Sequence, residues 1–268
     1  MANILTIQMQ SKLGQIDENL KKVKSFLSEY KNQELDLVVV PEFFATSIEY
    51  LKPEIDVNGG YVIDEIRALA REYSTNFIAG SVVRHKGDGR FYNSSFAIDR
   101  QGNILKVYDK IHLFNYCGGS EGSRITAGNE ICIVDFDFAR TGMGLCFDIR
   151  YPMMFNEFLK QQVQLMVLPT AWIFPSFVLS DPKQRKELED IWQSMAKTRA
   201  YDNEAFFVVC NQIGDIGHDM EGIGNSMVIS PYGKLISIIR NSEQAMLTSI
   251  DISEANRCKK EFPKSNLL

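Results

Sequence analysis

Cys146 stands in MGLCFDIRYP, at the end of a run of small and apolar residues that reads as a strand leaving into a turn. A thiol there can be core filling, a metal ligand, a disulfide partner or a nucleophile. The five cysteines, at 117, 132, 146, 210 and 258, are odd in number, irregularly spaced and without a CxxC pair. That pattern speaks against zinc-ribbon, thioredoxin-like and disulfide readings. Cys132 and Cys210 lie in apolar runs (ICIVDF, FFVVCN) and read as small core residues, Cys258 falls in a charged C-terminal stretch, and Cys117 in the glycine-rich NYCGGSEG is the competitor. Cys146 differs in standing at a strand end just before a helix that Pro152 opens. A nucleophile is commonly presented at such a place, because the next backbone N–H groups are free to meet a developing oxyanion.

A thiol nucleophile needs a base. Glu42 ends the run VVVPE, and carboxylates at the C-terminal ends of buried strands sit where α/β folds place their ligand crevices. The alternative is an exposed glutamate at a strand end. Lys110 lies in VYDKIHLF, where alternation puts Tyr108, Lys110 and His112 on one face and Val107, Asp109, Ile111 and Leu113 on the other. Its ammonium is either an anion stabiliser in a site or an edge-strand charge that discourages aggregation. A cysteine–histidine pair would have His112 as its partner, since His85 and His218 lie in polar loop segments.

These residues need elements to carry them. ILTIQMQ alternates as a strand, and Asp17 is expected to cap the helix ENLKKVKSFLSEY, whose apolar positions 20, 23, 26, 27 and 30 share one face. LDLVVVPE and QLMVLPT read as strands buried on both faces. Residues 62–73 and 183–202 read as helices, NFIAGSVVR as a strand, and FYNSSFAID with NILKVYDK as a hairpin closed by Arg-Gln-Gly. ICIVDFDF and RTGMGLCF form a second hairpin that ends at Cys146. LDLVVVPE, NFIAGSVV and NSSFAIDRQGNIL find counterparts, in the same order, in VQLMVLPT, AFFVVCNQ and NSMVISPYGKLI. The expectation is one domain over residues 1–268, an α/β sandwich built of two related halves, with the last ~15 residues a tail available for oligomer contacts.

Composition narrows the function. With 45% hydrophobic and 24% charged residues the chain has a globular composition, and a net charge of −5 without basic blocks argues against nucleic-acid binding. MANILTIQMQ lacks the features of a secretory signal, and no apolar run approaches the ~20 residues of a spanning helix. Free thiols suit a cytoplasmic location and no membrane partner.

The order Glu42, Lys110, Cys146 within VVVPEFF, YDKIHLF and GLCFDIRYP resembles the carbon–nitrogen hydrolases of the nitrilase superfamily. The resemblance continues through LPTAW, KTRAYDNEAFFVVCNQIG and GNSMVISPYGKLI, and the FDIRYP element is most similar to the ω-amidase-type branch. It implies a four-layer α-β-β-α sandwich, with Glu42 as base, Lys110 as cationic stabiliser and Cys146 as nucleophile forming a thioester. Glu121, ahead of TAGN, then answers to a second family glutamate that orients substrate or water, with Glu130 as its rival. Substrate would be met by the Phe147 backbone N–H, Arg150, Ala171 and Trp172, although Arg150 could instead pair with Asp148. The implied reaction is hydrolysis of a small carboxamide to carboxylate and ammonia; N-carbamoyl amide hydrolysis, nitrile hydrolysis and a non-catalytic binding module are the alternatives. No metal or organic cofactor is implied. The partners implied are the small amide itself and a second copy of the chain, as a homodimer or higher homo-oligomer paired through helices near 152–162 and 184–203. CFD where many relatives have CYD, the missing glycine in EFFATS and the long IFPSFVLSDPKQRKELED segment depart from the family pattern, the last of them bordering the expected pocket mouth.

Overall fold

A computed structural model describes residues 1–49, 60–116 and 119–264. Cys117 therefore lies outside the described residues. Two six-stranded sheets dominate, and alternation within their strands explains the layers. In β1 (Ala2–Gln8) and β2 (Leu37–Val40), Leu5, Ile7, Val38 and Val40 face α1 (Ile16–Ser28) and α2 (Gly60–Tyr73), whose Leu20, Val23, Ile63 and Ile66 complete one apolar cluster. Ile4, Leu37 and Val39, on the opposite face, join the second cluster between the sheets.

The first sheet runs β15-β1-β2-β3-β4-β5, adding β3 (Asn76–His85), β4 (Phe91–Ile98), β5 (Ile104–Asp109) and β15 (Gln244–Ile250). The second runs β14-β13-β10-β8-β7-β6, from β6 (Cys132–Asp135), β7 (Arg140–Met143), β8 (Leu165–Thr170), β10 (Phe206–Asn211), β13 (Ser226–Ile229) and β14 (Leu235–Ile239). Read from opposite ends, the two sheets have the same sequence of pairings. An antiparallel pair (β15 with β1, β6 with β7) is followed by two parallel and two antiparallel ones. The halves inferred from sequence are thus two sheets of one design.

Outside the second sheet lie α3 (Pro152–Lys160) and α5 (Pro182–Asn203), whose buried Phe155, Phe158, Trp192 and Ala196 extend the second cluster to the outer face of that sheet and complete the four α-β-β-α layers. A small sheet is formed by β9 (Ile173–Pro175), β11 (Ile213–Gly217) and β12 (Met220–Ile223); the long segment after LPTAW supplies β9, the short α4 (Ser176–Leu179) and the start of α5. The C-terminal stretch expected as a tail contains α6 (Ser253–Glu261), which buries Ala255 and Cys258.

Two local expectations are corrected. Asp17 sits inside the first turn of α1, and Gln15 occupies the cap position without a side-chain bond. There Asp17 contributes charge at the positive helix end instead of a cap. The strand before the cysteine stops at Met143, three residues earlier than expected. No helix among the described residues is long and apolar enough to cross a membrane.

Candidate active site

Pro41 separates Glu42 from the end of β2, and β3 approaches closely at this point. At Gly80, where β3 is bulged and φ is +33°, an added Cβ would lie 2.0 Å from the Pro41 carbonyl oxygen. Glycine is required at that crossing. Gln212 Nε2 donates to the Glu42 carbonyl at 2.9 Å, tying the loop after β2 to the other half of the molecule. Glu42 is 2% exposed, which disposes of the exposed strand-end alternative.

Lys110 comes just after edge strand β5, yet it is 2% exposed and so is not a solvated edge charge. Its Nζ donates to Glu42 Oε1 at 2.8 Å and to Glu121 Oε2 at 2.9 Å. Burial alone would drive the proton from Lys110, but the charges of Glu121 and Glu42 more than offset it and hold the ammonium well above its usual range. Glu121 opens a short 3₁₀ turn, Glu121–Ser123, and also accepts from Phe114 N at 2.8 Å. Glu130 is exposed.

Cys146 begins a 3₁₀ turn, Cys146–Arg150, at φ +42°, a left-handed conformation that costs a non-glycine residue. Its thiol sits within reach of the Glu42 charge, and Glu42 also accepts from Ala171 N at 3.0 Å. Burial, then the Glu42 charge, pushes the Cys146 thiol well above its ordinary value, against the pull of the Lys110 ammonium. The resting site therefore pairs a neutral thiol with a carboxylate acceptor. The Phe147 N–H lies in the first turn after the sulfur, where a helix start leaves donors without intrahelical partners.

Behind the cysteine, Asp148 is fully buried and accepts from Tyr108 Oη at 2.7 Å, Leu145 N at 2.8 Å and His112 N at 3.1 Å. His112 Nδ1 lies 2.7 Å from Asp148 Oδ1, and its ring stacks on Tyr151 with centroids 3.5 Å apart. His112 is thus engaged by Asp148. Arg150 does not pair with Asp148; it is exposed, with its guanidinium 5.8 Å from the Phe147 ring centroid.

Asn93 is the residue that sequence reasoning passed over. Its Nδ2 donates to Glu42 Oε1 at 2.9 Å and to Glu121 Oε1 at 2.8 Å, so one amide spans both carboxylates. The repeated Asn-Ser pair at a strand start was the available signal, read only as a mark of duplication.

Glu42, Lys110, Glu121, Cys146, Phe147, Arg150, Ala171 and Trp172 all line one cavity of about 800 Å³. The N–H of Ala171 is committed to Glu42 and that of Trp172 to Asn211 Oδ1 at 2.9 Å, so neither residue has its amide to offer a ligand. Among the described residues no group of histidine, cysteine, aspartate and glutamate could hold a metal ion.

A buried thiol, carboxylate and ammonium meeting on one cavity is an arrangement suited to attack on an acyl carbon. Residues 5–260 match the family model described as carbon-nitrogen hydrolase. The chain belongs to the carbon–nitrogen hydrolase family. It is 26% identical over 262 residues to the 2-oxoglutaramate amidase of Bacillus subtilis strain 168, covering 97% of this chain and 95% of that protein. It is 24% identical to the deaminated glutathione amidase of Dictyostelium discoideum, over 95% and 91% of the two chains. A carbon-nitrogen hydrolase from Helicobacter pylori G27 shares the fold with a TM-score of 0.88 at 18% identity, covering 98% of this chain and 93% of that one.

Proposed function

We propose that this carbon–nitrogen hydrolase is an amidase that converts a small carboxamide to its carboxylate and ammonia through a thioester on Cys146. The observation that carries the reading is the buried Glu42 carboxylate, which accepts from the Lys110 ammonium and lines the same cavity as the Cys146 thiol on which its charge acts. Glu42 takes the thiol proton as Sγ attacks the amide carbon, and Lys110 with the Phe147 N–H stabilises the tetrahedral oxyanion at the buried end of the cavity. When the C–N bond breaks, the proton on Glu42 passes to the leaving nitrogen. Water then attacks the thioester, Glu42 accepts one of its protons, and that proton returns to sulfur as the carboxylic acid leaves, to give up its remaining proton to the ammonia or to solvent. Glu121 holds Lys110 and orients substrate or water, while Arg150 is the cation available to a carboxylate at the far end of the acyl chain. The similar proteins named as amidases support this choice of bond.

Ammonia release from a panel of ω-amides, ureido acids and nitriles tests it. Turnover confined to amides is expected; carbon dioxide from ureido acids, or hydrolysis of nitriles alone, would reassign the reaction. The reading includes a cytoplasmic enzyme that needs no cofactor and assembles at least as a homodimer. Met153 of α3 and Ile191 of α5 are exposed apolar residues that support pairing through those helices, although their neighbours Met154, Phe155, Phe158 and Trp192 are core. Light scattering at micromolar concentration should give a mass of two chains or more.

A further inference from the structure

The chemistry above needs four side chains, yet seven phenylalanine, tyrosine and tryptophan residues also line the cavity. Phe147, next to the nucleophile, packs edge-on against Phe114 at 5.4 Å and against Tyr151 at 5.8 Å, and lies 5.5 Å from Tyr116. A second cluster starts next to Ala171, the residue whose N–H binds Glu42. Trp172 packs edge-on with Phe174 at 6.4 Å and is backed at 4.9 Å by the fully buried Trp192. Trp172 and Phe174 are only partly buried, so they keep apolar surface turned to the cavity that they line. Phe174 comes from β9, which pairs with β12 and so places Met220 on the same wall.

The charged groups of the wall are largely spoken for. Glu42, Lys110 and Glu121 bind one another, and His218 Nε2 lies 3.0 Å from Glu49. Among the described residues, Arg150 alone brings a charge without an ion-pair partner. Such a wall rewards an apolar, flat occupant, since aromatic clusters gain from offset and edge-on ring contacts as well as from burial. A cavity near 800 Å³ is also far larger than a short acyl chain requires.

Resting on the amidase reading, we propose that the cavity is an aryl-binding cleft and that the preferred substrates are primary amides whose acyl group carries an aromatic ring. The ring belongs two or three bonds from the scissile carbonyl, because both clusters begin one residue away from groups that touch the reacting atoms. Phe174 and Met220, supplied by the small sheet, are the specificity-determining residues on the outer side.

The test compares 3-phenylpropionamide with propionamide. We expect kcat/KM to favour the aryl amide by about 10- to 100-fold, the range that apolar pocket contacts support. Phe174→Ala, or Phe174→Leu should the alanine variant fail to fold, is expected to shrink that ratio severalfold. A parallel measurement does not depend on turnover: 3-phenylpropionate should slow iodoacetamide alkylation of Cys146 at concentrations where propionate has no effect. Equal kcat/KM values together with equal protection by the two acids overturn the cleft. Protection by the aryl acid with no amide hydrolysed would leave the cleft standing and remove the amidase reading instead.

Discussion

The Tyr108 hydroxyl donates to the fully buried Asp148 carboxylate at 2.7 Å, pinning the strand that ends beside Lys110 to the turn that carries Cys146. Asp148 also takes the Leu145 and His112 N–H groups, so one carboxylate fixes the approach of the Lys110 and Cys146 segments, which lie far apart in the chain. Burial and the neighbouring Asp148 charge both push the Tyr108 phenol well above its ordinary value, so it remains a donor.

Tyr108→Phe removes this donor and leaves the Asp148 oxygen with Leu145 N alone. A hydrogen bond to a buried charge contributes about 1.5–3 kcal/mol, and a loss of that size is expected in urea denaturation at neutral pH. Stability unchanged within error would mean that the two segments are held by other contacts.

The two glutamates should fail differently. Glu42→Gln keeps shape but loses the basicity that takes the thiol proton, so acylation should fall by ~10²–10⁴-fold or more. Glu121→Gln should permit some acylation and let thioester accumulate on Cys146. Intact-protein mass spectrometry after mixing with substrate separates the two, and normal acylation by Glu42→Gln would reverse the assignment.

Asn93 is expected to act through the carboxylates it spans. Asn93→Ala frees Glu42 and Glu121 to shift around Lys110, and misplacement of reacting groups on the order of 1 Å can cost ~10²-fold. The expected result is a kcat lowered by roughly 10- to 10²-fold with KM little changed. A change in KM alone would place Asn93 in substrate binding.

Lys259 gives a pH signature of stability. Its ammonium donates to the Val163 carbonyl, and burial, opposed by the Glu204 and Cys258 charges, lowers its pKa from 10.5 to about 8. Between those values the unfolded chain binds more protons than the folded one, so this group makes stability rise with pH through that window. Lys259→Met should therefore stabilise the protein at pH 7 by about 1–3 kcal/mol, with the advantage gone near pH 10.5. Urea midpoints across pH 7–10.5 would detect this, and an advantage that stays constant with pH would refute it.

Much of this protein was legible in the sequence because its signals are local. Alternation in ILTIQMQ and the continuous apolar runs LVVV and LMVLP specified strands and their buried faces, and the repeated order of elements specified two sheets of one design. The carbon–nitrogen hydrolase motifs pointed to Glu42, Lys110, Cys146 and Glu121. Whether Glu42 and Lys110 were surface charges or site residues was not a local matter. Alone, each reads as a solvated side chain, and burial is tolerable only because Lys110 lies between two carboxylates, one of them 68 residues away in the chain. Asn93 and Asp148 are polar residues of ordinary appearance until folding brings several partners around each. The cap expected of Asp17 was lost because the helix starts two residues earlier, at Ile16. Periodicity in sequence records which way a side chain points along one element. Only the tertiary structure decides what it meets there, because a buried charge is held by partners that the rest of the chain must deliver.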